Sequence, residues 1–225
     1  MFSAERPQDR IFLTIDRYEA IDFLTARQDF FDLVGGVKFG IRFLRMPRAA
    51  AIRGDLARHK LKLFLDVKLE ESATQMPETI DDYRRDGYNF VSISGGVECE
   101  AMLAAAQVSN GLRPIIALAR HQPHLLDDQL RKINEVNDQL DSNQQIQELL
   151  TDVGDLPHVR ASSPDWILTA TGIYAPGTTP PEGPDRLLPR EALEAGADRI
   201  AVGSAVFGAG AGRVDAMRLI LADCV

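Results

Sequence analysis

The stretch LFLDVKLEES, residues 63–72, decides how the rest of the chain is read. Its apolar start predicts a buried strand, and Asp66 and Lys68 stand two positions apart at the strand's end. Side chains two apart in a strand share a face, so the carboxylate and the ammonium group are expected together, with Glu71 just beyond in the loop. Charges there are costly unless used. A lysine between carboxylates stays protonated and is held rigidly, which suits delivery of a proton to a carbanion.

Working outward, apolar runs rich in β-branched residues recur at 11–15, 33–39, 61–67, 90–94, 114–119, 166–171 and 199–202. Helical spacing fills the intervals at 18–31, 48–59, 76–85, 98–108, 124–140 and 189–195, with a last helix at 214–222. Gly87, Gly111 and Gly196 follow three of these segments, where a left-handed cap is needed. The alternation predicts a parallel β/α domain, either an eight-strand barrel with one strand unseen or an open doubly wound sheet. The unseen strand belongs between 120 and 165. There INEVNDQLDSNQQIQELL (133–150) reads as polar and helical, and 158–161 is a poor strand candidate. The Pro/Gly-rich APGTTPPEGPD (175–185) reads as one long loop after a strand, the kind of loop that tends to be functional.

Composition narrows the class. The 225 residues are 45% hydrophobic and 26% charged, with 17 Gly and 12 Pro, the balance of an ordinary globular protein. A net charge of −8 disfavours nucleic acid as a partner. Cys99 and Cys224 form neither a C-x-x-C pair nor a metal-ligand cluster, which fits a reducing compartment. No run of 18 apolar residues occurs and the charged first ten residues do not resemble a secretory signal, so a complete cytoplasmic chain with no membrane partner is expected. The phosphate-loop, nucleophile-elbow and zinc-protease motifs are absent. GAGAG (208–212) lies too near the end to leave room for a dinucleotide site, so no organic cofactor is expected.

Two further charges fall at predicted strand ends: Lys38 in GGVKFG (35–40) and Asp16 in FLTID (12–16). Three successive strand ends thus bear ionic groups, on the face where a barrel carries its active site. A regular series of this kind is not how random surface charge falls.

The pattern D-x-K-x-x-E at Asp66, Lys68 and Glu71, K-F-G from Lys38, T-I-D ending at Asp16 and GGVECEAMLAAA from Gly95 resemble the orotidine 5′-phosphate decarboxylase superfamily. The resemblance runs from about Ile11 to Ala106, weakens between 120 and 165, and returns at ILTATG (167–172) and GADRIAVGSAV (196–206). It implies one β/α barrel domain over 1–225, homodimeric with active sites at the interface. It also implies a carboxy-lyase of pyrimidine (UMP) biosynthesis that needs no metal or organic cofactor, because fixed charges stabilise the carbanion. On this resemblance Lys68 is the proton donor, Asp66 presses on the departing carboxylate and Lys38 completes the charge array. Glu71, one methylene longer than the family's aspartate, would act across the dimer, and Asp16 would meet the ribose hydroxyls. Phosphate would bind at backbone amides of Thr171-Gly172 and Gly203-Ser204.

The departures point to the substrate. Ser204 stands where the family has a phosphate-gripping arginine, and Pro176 stands near the place of a glutamine. Arg120, His121 and Gln122 occupy the neighbourhood of the serine that meets the pyrimidine edge. His121 is therefore a candidate for recognising a different ring, and the substrate is a phosphorylated small molecule of orotidine-phosphate type or a relative. Superfamily members that decarboxylate or condense sugar phosphates bind Mg²⁺ at the same strand ends. This chain differs from them by Lys38, where they tend to have an acid, and by Ser72-Ala73, where they have a glycine. A third reading is a barrel that keeps the dimer and has lost catalysis.

Overall fold

The apolar runs close on themselves. A computed structural model of the chain describes residues 6–15, 28–162, 165–178 and 186–225. Its strands are β1 (Ile11–Ile15), β2 (Gly36–Gly40), β3 (Lys62–Leu69), β4 (Phe90–Ser94), β5 (Arg113–Ala117), β6 (Glu148–Asp152), β7 (Ile167–Thr171) and β8 (Arg199–Val202). All neighbours pair in parallel and β8 returns to β1, giving a closed β/α barrel. The described helices are α1 (Ile41–Leu44), α2 (Ala49–Arg58), α3 (Met76–Arg85), α4 (Cys99–Val108) and α5 (Pro123–Asn137), then α6 (Leu156–Ser162), α7 (Pro189–Glu194), α8 (Ser204–Phe207) and α9 (Arg213–Asp223). Most of the helix predicted at 18–31 lies outside the described residues, and its last part is a 3₁₀ turn, Gln28–Leu33. Among the described residues no helix is long and apolar enough to cross a membrane.

Alternation along each strand sorts the core into two parts. One face packs against the helices in a continuous apolar layer, while the other turns inward and brings together Phe12, Phe64, Phe90, Ile115, Ala117, Leu150 and Ala201. The three phenylalanines meet edge to face, with ring centroids 5.7–6.2 Å apart, and fill the barrel's centre. Gly36 makes room for them: a Cβ there would lie 2.5 Å from the Phe12 ring. Above and below this plug, the inward positions of the same strands are polar or charged.

The region from 120 to 165 resolves as helix, strand and helix. The helical pattern ends at Asn137, after Leu126, Leu130, Ile133 and Val136 have been buried at helical spacing. Asn137 then fastens the following loop: its Oδ1 accepts the Ile146 amide at 2.8 Å and its Nδ2 donates to the Ile146 carbonyl at 2.9 Å. The sixth strand is ELLTD, buried throughout, so the polar stretch is not one long helix. Residues 158–161, the weak strand candidate, belong instead to α6.

Candidate active site

At the carboxyl ends of the strands, three of the residues singled out from sequence converge. Lys38, inward on β2, places its Nζ 2.5 Å from Asp66 Oδ2, and Lys68 places its Nζ 3.0 Å from Asp66 Oδ1. Asp66 and Lys38 are buried, whereas the Lys68 side chain is 49% exposed. One ammonium group is therefore locked inside and the other reaches the mouth. Ser92, inward on β4, donates to Asp66 Oδ1 at 2.8 Å and its oxygen accepts the Lys68 amide at 2.8 Å. Ser92 was not singled out in sequence; its signal is the alternation in FVSIS, where polar residues occupy the inward positions above Phe90.

The local backbone departs from simple alternation. Leu65 pairs with Val91, but the next partner of β4, Ile93, pairs with Leu69, so β3 advances four residues while β4 advances two. Asp66, Val67 and Lys68 span this irregularity, and Lys68 sits at φ +50°. A left-handed lysine is an unfavourable conformation, on the order of 1 kcal/mol or more, held here by the Ser92 bond. Asp66 and Lys68 thus meet across a bulge rather than along an undisturbed face.

Electrostatics follow from the geometry. Burial alone would raise the Asp66 carboxyl, but the two ammonium groups and their hydrogen bonds outweigh it and hold it down to about 2. The carboxylate is therefore charged at neutral pH. Two cations around one anion leave the cluster net positive, which suits an anionic substrate.

The other predicted residues are dispersed around the mouth. Glu71 is not drawn into the cluster: its Oε2 accepts from Thr79 Oγ1 on α3 at 2.5 Å, and Lys38 and Lys68 are paired with Asp66 instead. With Glu70, Glu98 and Glu100 it lines a separate cavity of about 570 Å³. Gly172 follows β7 at φ +91°, a conformation that favours glycine, and its carbonyl accepts the Leu187 amide at 3.2 Å. Gly203 follows β8 and caps α8, and a Cβ there would lie 3.2 Å from Thr14 on β1. Ser204 opens α8 and is exposed. His121 is exposed after β5 at φ +54°, its amide donating to the buried Asp155 at 3.3 Å. Asp16 lies outside the described residues. Among the described residues, no cluster of three or more His, Cys, Asp or Glu is arranged to hold a metal ion.

Sequence reasoning missed the opposite wall. Asp152 ends β6 on the inward side and Thr171 ends β7 beside it. Arg120, from the loop after β5, lies against both. The missed strand hid the missed acid.

A parallel barrel with an ionic cluster at the carboxyl ends of its strands is an architecture of enzymes that work at that face. Comparison with solved structures narrows the likeness. The chain superposes on orotidine 5′-phosphate decarboxylase from Pyrococcus horikoshii OT3 with a TM-score of 0.73 and 19% identity, covering 95% of this chain and 98% of that one. An uncharacterized conserved protein from Geobacillus kaustophilus gives a TM-score of 0.72 at 13% identity, covering 96% and 100%. At these identities the likeness is one of fold. No protein-family model and no curated protein matches the sequence.

Proposed function

We propose that the chain is a metal-independent carboxy-lyase acting on orotidine 5′-phosphate or a closely related nucleotide-like phosphate. The observation that carries this reading is the Lys38–Asp66–Lys68 cluster, with a half-exposed ammonium group beside a buried, fully ionised carboxylate. A substrate carboxylate brought against Asp66 is destabilised by like charge. As the carbon–carbon bond breaks, carbon dioxide leaves and the electron pair stays on the ring carbon. Lys68 Nζ then gives that carbon a proton, and Lys38 keeps Asp66 in place and the local field positive. Solvent restores the lysine proton.

In the same reading, amides near Gly172, Gly203 and Ser204 receive the phosphate, Asp16 the ribose, and His121 lies near the ring. The working unit is a homodimer in the cytoplasm, with Glu71 facing the site of the neighbouring copy. Its hydrogen bond to Thr79, outside its own chain's cluster, is compatible with that arrangement.

Carbon dioxide release from orotidine 5′-phosphate, measured with Lys68→Ala beside the parent protein and with circular dichroism as a fold control, tests the proposal. Turnover is expected in the parent and lost in the variant. Equal rates from both would sink the role given to Lys68. Turnover abolished by a chelator would favour the Mg²⁺-dependent sugar-phosphate chemistry instead, and no turnover at all would favour a non-catalytic barrel.

A further inference from the structure

The mouth of the barrel has two polar walls. β2 and β3 carry the lysine cluster, and β6 and β7 lie diametrically across the closed sheet. On that second wall Asp152 is only 4% exposed, and it faces inward in register with Glu148 and Leu150. Its bonding is poor for a buried carboxylate. The Thr171 hydroxyl lies 3.2 Å from Oδ2, but its single proton is shared with the Thr151 carbonyl at 3.3 Å. The Arg120 guanidinium approaches the same oxygen only to 3.7 Å. Among the described residues, Asp152 Oδ1 has no hydrogen-bond partner.

Asp66, on the facing wall, is supplied differently, with two ammonium groups and a serine. Glu148 Oε1, like Asp152 Oδ1, makes no aligned hydrogen bond among the described residues, but guanidinium groups lie 2.6 and 2.7 Å from the two Glu148 oxygens, whereas Asp152 has none nearer than 3.7 Å. Buried carboxylates are ordinarily supplied with donors in this way, because an unpaired one forfeits its hydration without return. A carboxylate kept underbonded at the mouth of an enzyme barrel is arranged to receive a donor from outside.

We infer that Asp152 and Arg120 form a second recognition subsite, in which Asp152 Oδ1 accepts a hydrogen bond from the substrate and Arg120 donates to an oxygen next to that group. An acceptor beside a donor reads the complementary pair, an N–H adjacent to a carbonyl as on an amide or imide edge. Arg120 is half-exposed and also reaches the Thr171 hydroxyl at 3.4 Å, so it is steered toward the mouth rather than free to swing. The inference rests on the decarboxylase reading for its choice of probe, since the uracil ring of uridine 5′-monophosphate offers such an edge.

The experiment separates recognition from support of the fold. Asp152→Leu and Asp152→Asn are made with Arg120→Ala. Melting temperatures and calorimetric binding are then measured with uridine 5′-monophosphate and with its N3-methyl analogue, whose donor is blocked. A recognition role leaves the melting temperature of Asp152→Asn unchanged or raised, because the charge removed was underbonded in the fold. All three variants should bind uridine 5′-monophosphate at least about tenfold more weakly than the parent, the cost of losing a charge-assisted hydrogen bond. The parent should prefer it over the N3-methyl analogue by a similar factor, and the Asp152 variants should lose that preference.

A clear drop in the melting temperature of Asp152→Asn would overturn the inference, as would parent-like binding by the variants or no binding by the parent. If discrimination persists while orotidine 5′-phosphate releases no carbon dioxide, the catalytic reading fails and the subsite stands.

Discussion

The two ends of the barrel carry the same arrangement of charge, a buried carboxylate between one buried and one half-exposed cation. At the carboxyl ends of the strands it is Asp66 between Lys38 and Lys68, at 2.5 and 3.0 Å. At the amino ends it is Glu148 between Arg199 and Arg113, at 2.7 and 2.6 Å. What differs is the cation. Both guanidinium groups lie over the Phe90 ring, Arg113 at 4.5 Å and Arg199 at 5.5 Å from its centroid, so the lower triad is packed onto the phenylalanine plug. A guanidinium group holds its protons permanently, and its planar face suits stacking. A lysine amine is a compact charge with rotatable donors, and a half-exposed one can hand a proton to a bound molecule. On the proposed function, one triad holds still and the other acts, and ion-pair distances alone do not tell them apart.

The largest expected effect would establish the upper triad as the working one. Lys68→Ala should lower turnover by ~10³-fold or more, about 4 kcal/mol of barrier, while leaving the melting temperature near that of the parent. The side chain is half-exposed and its removal leaves Asp66 still paired with Lys38. The matching change below, Glu148→Gln, should do the reverse. It strands Arg199 as a buried charge, at a cost of about 3–5 kcal/mol, on the order of 10 °C in melting temperature. Turnover per folded molecule should not change. A Glu148→Gln protein as stable as the parent would show that the lower triad holds nothing.

Acid tests the upper triad in another way. Asp66 is depressed to about 2 in the folded protein, below its unfolded value, so its contribution is complete above about pH 4 and is lost as the pH falls toward 2. It amounts to about 2 kcal/mol across that window. Denaturant titrations at a series of pH values should show this loss in the parent and a shallower slope in Asp66→Asn. Identical slopes would mean that the upper triad does not couple to folding.

How much of this was legible in the sequence depends on how local each signal is. The parallel β/α alternation could be read from seven apolar runs and their spacing, the choice of a barrel over an open sheet only from the family resemblance, and Asp66 with Lys68 from one strand end. β6 escaped because ELLTD is polar at three of its positions and follows a polar loop whose order comes from the Asn137 contacts with Ile146 rather than from periodicity. Asp152 escaped with it, and Arg120 drew notice only together with His121 and Gln122, as a departure from the serine of the family the sequence resembles. The bulge at Lys68 was invisible because it depends on the pairing of β3 with β4, which is a property of two segments. Arg113 and Arg199 could not be linked to Glu148 until the barrel closed and set β5, β6 and β8 in register.

The finest discrimination concerns Arg113 itself, which is the lower counterpart of Lys68: half-exposed, and attached to an anion that already has a buried partner. Its pairing with Glu148 reaches into solvent and is worth little, but its guanidinium face also covers Phe90. Arg113→Met should therefore cost about 1 kcal/mol, a few degrees in melting temperature, with Arg113→Lys falling between it and the parent because charge survives and stacking does not. Neither should alter turnover. If Arg113→Lys were as stable as the parent, charge alone would support that end of the barrel, and the distinction drawn between guanidinium and ammonium would lose its structural half.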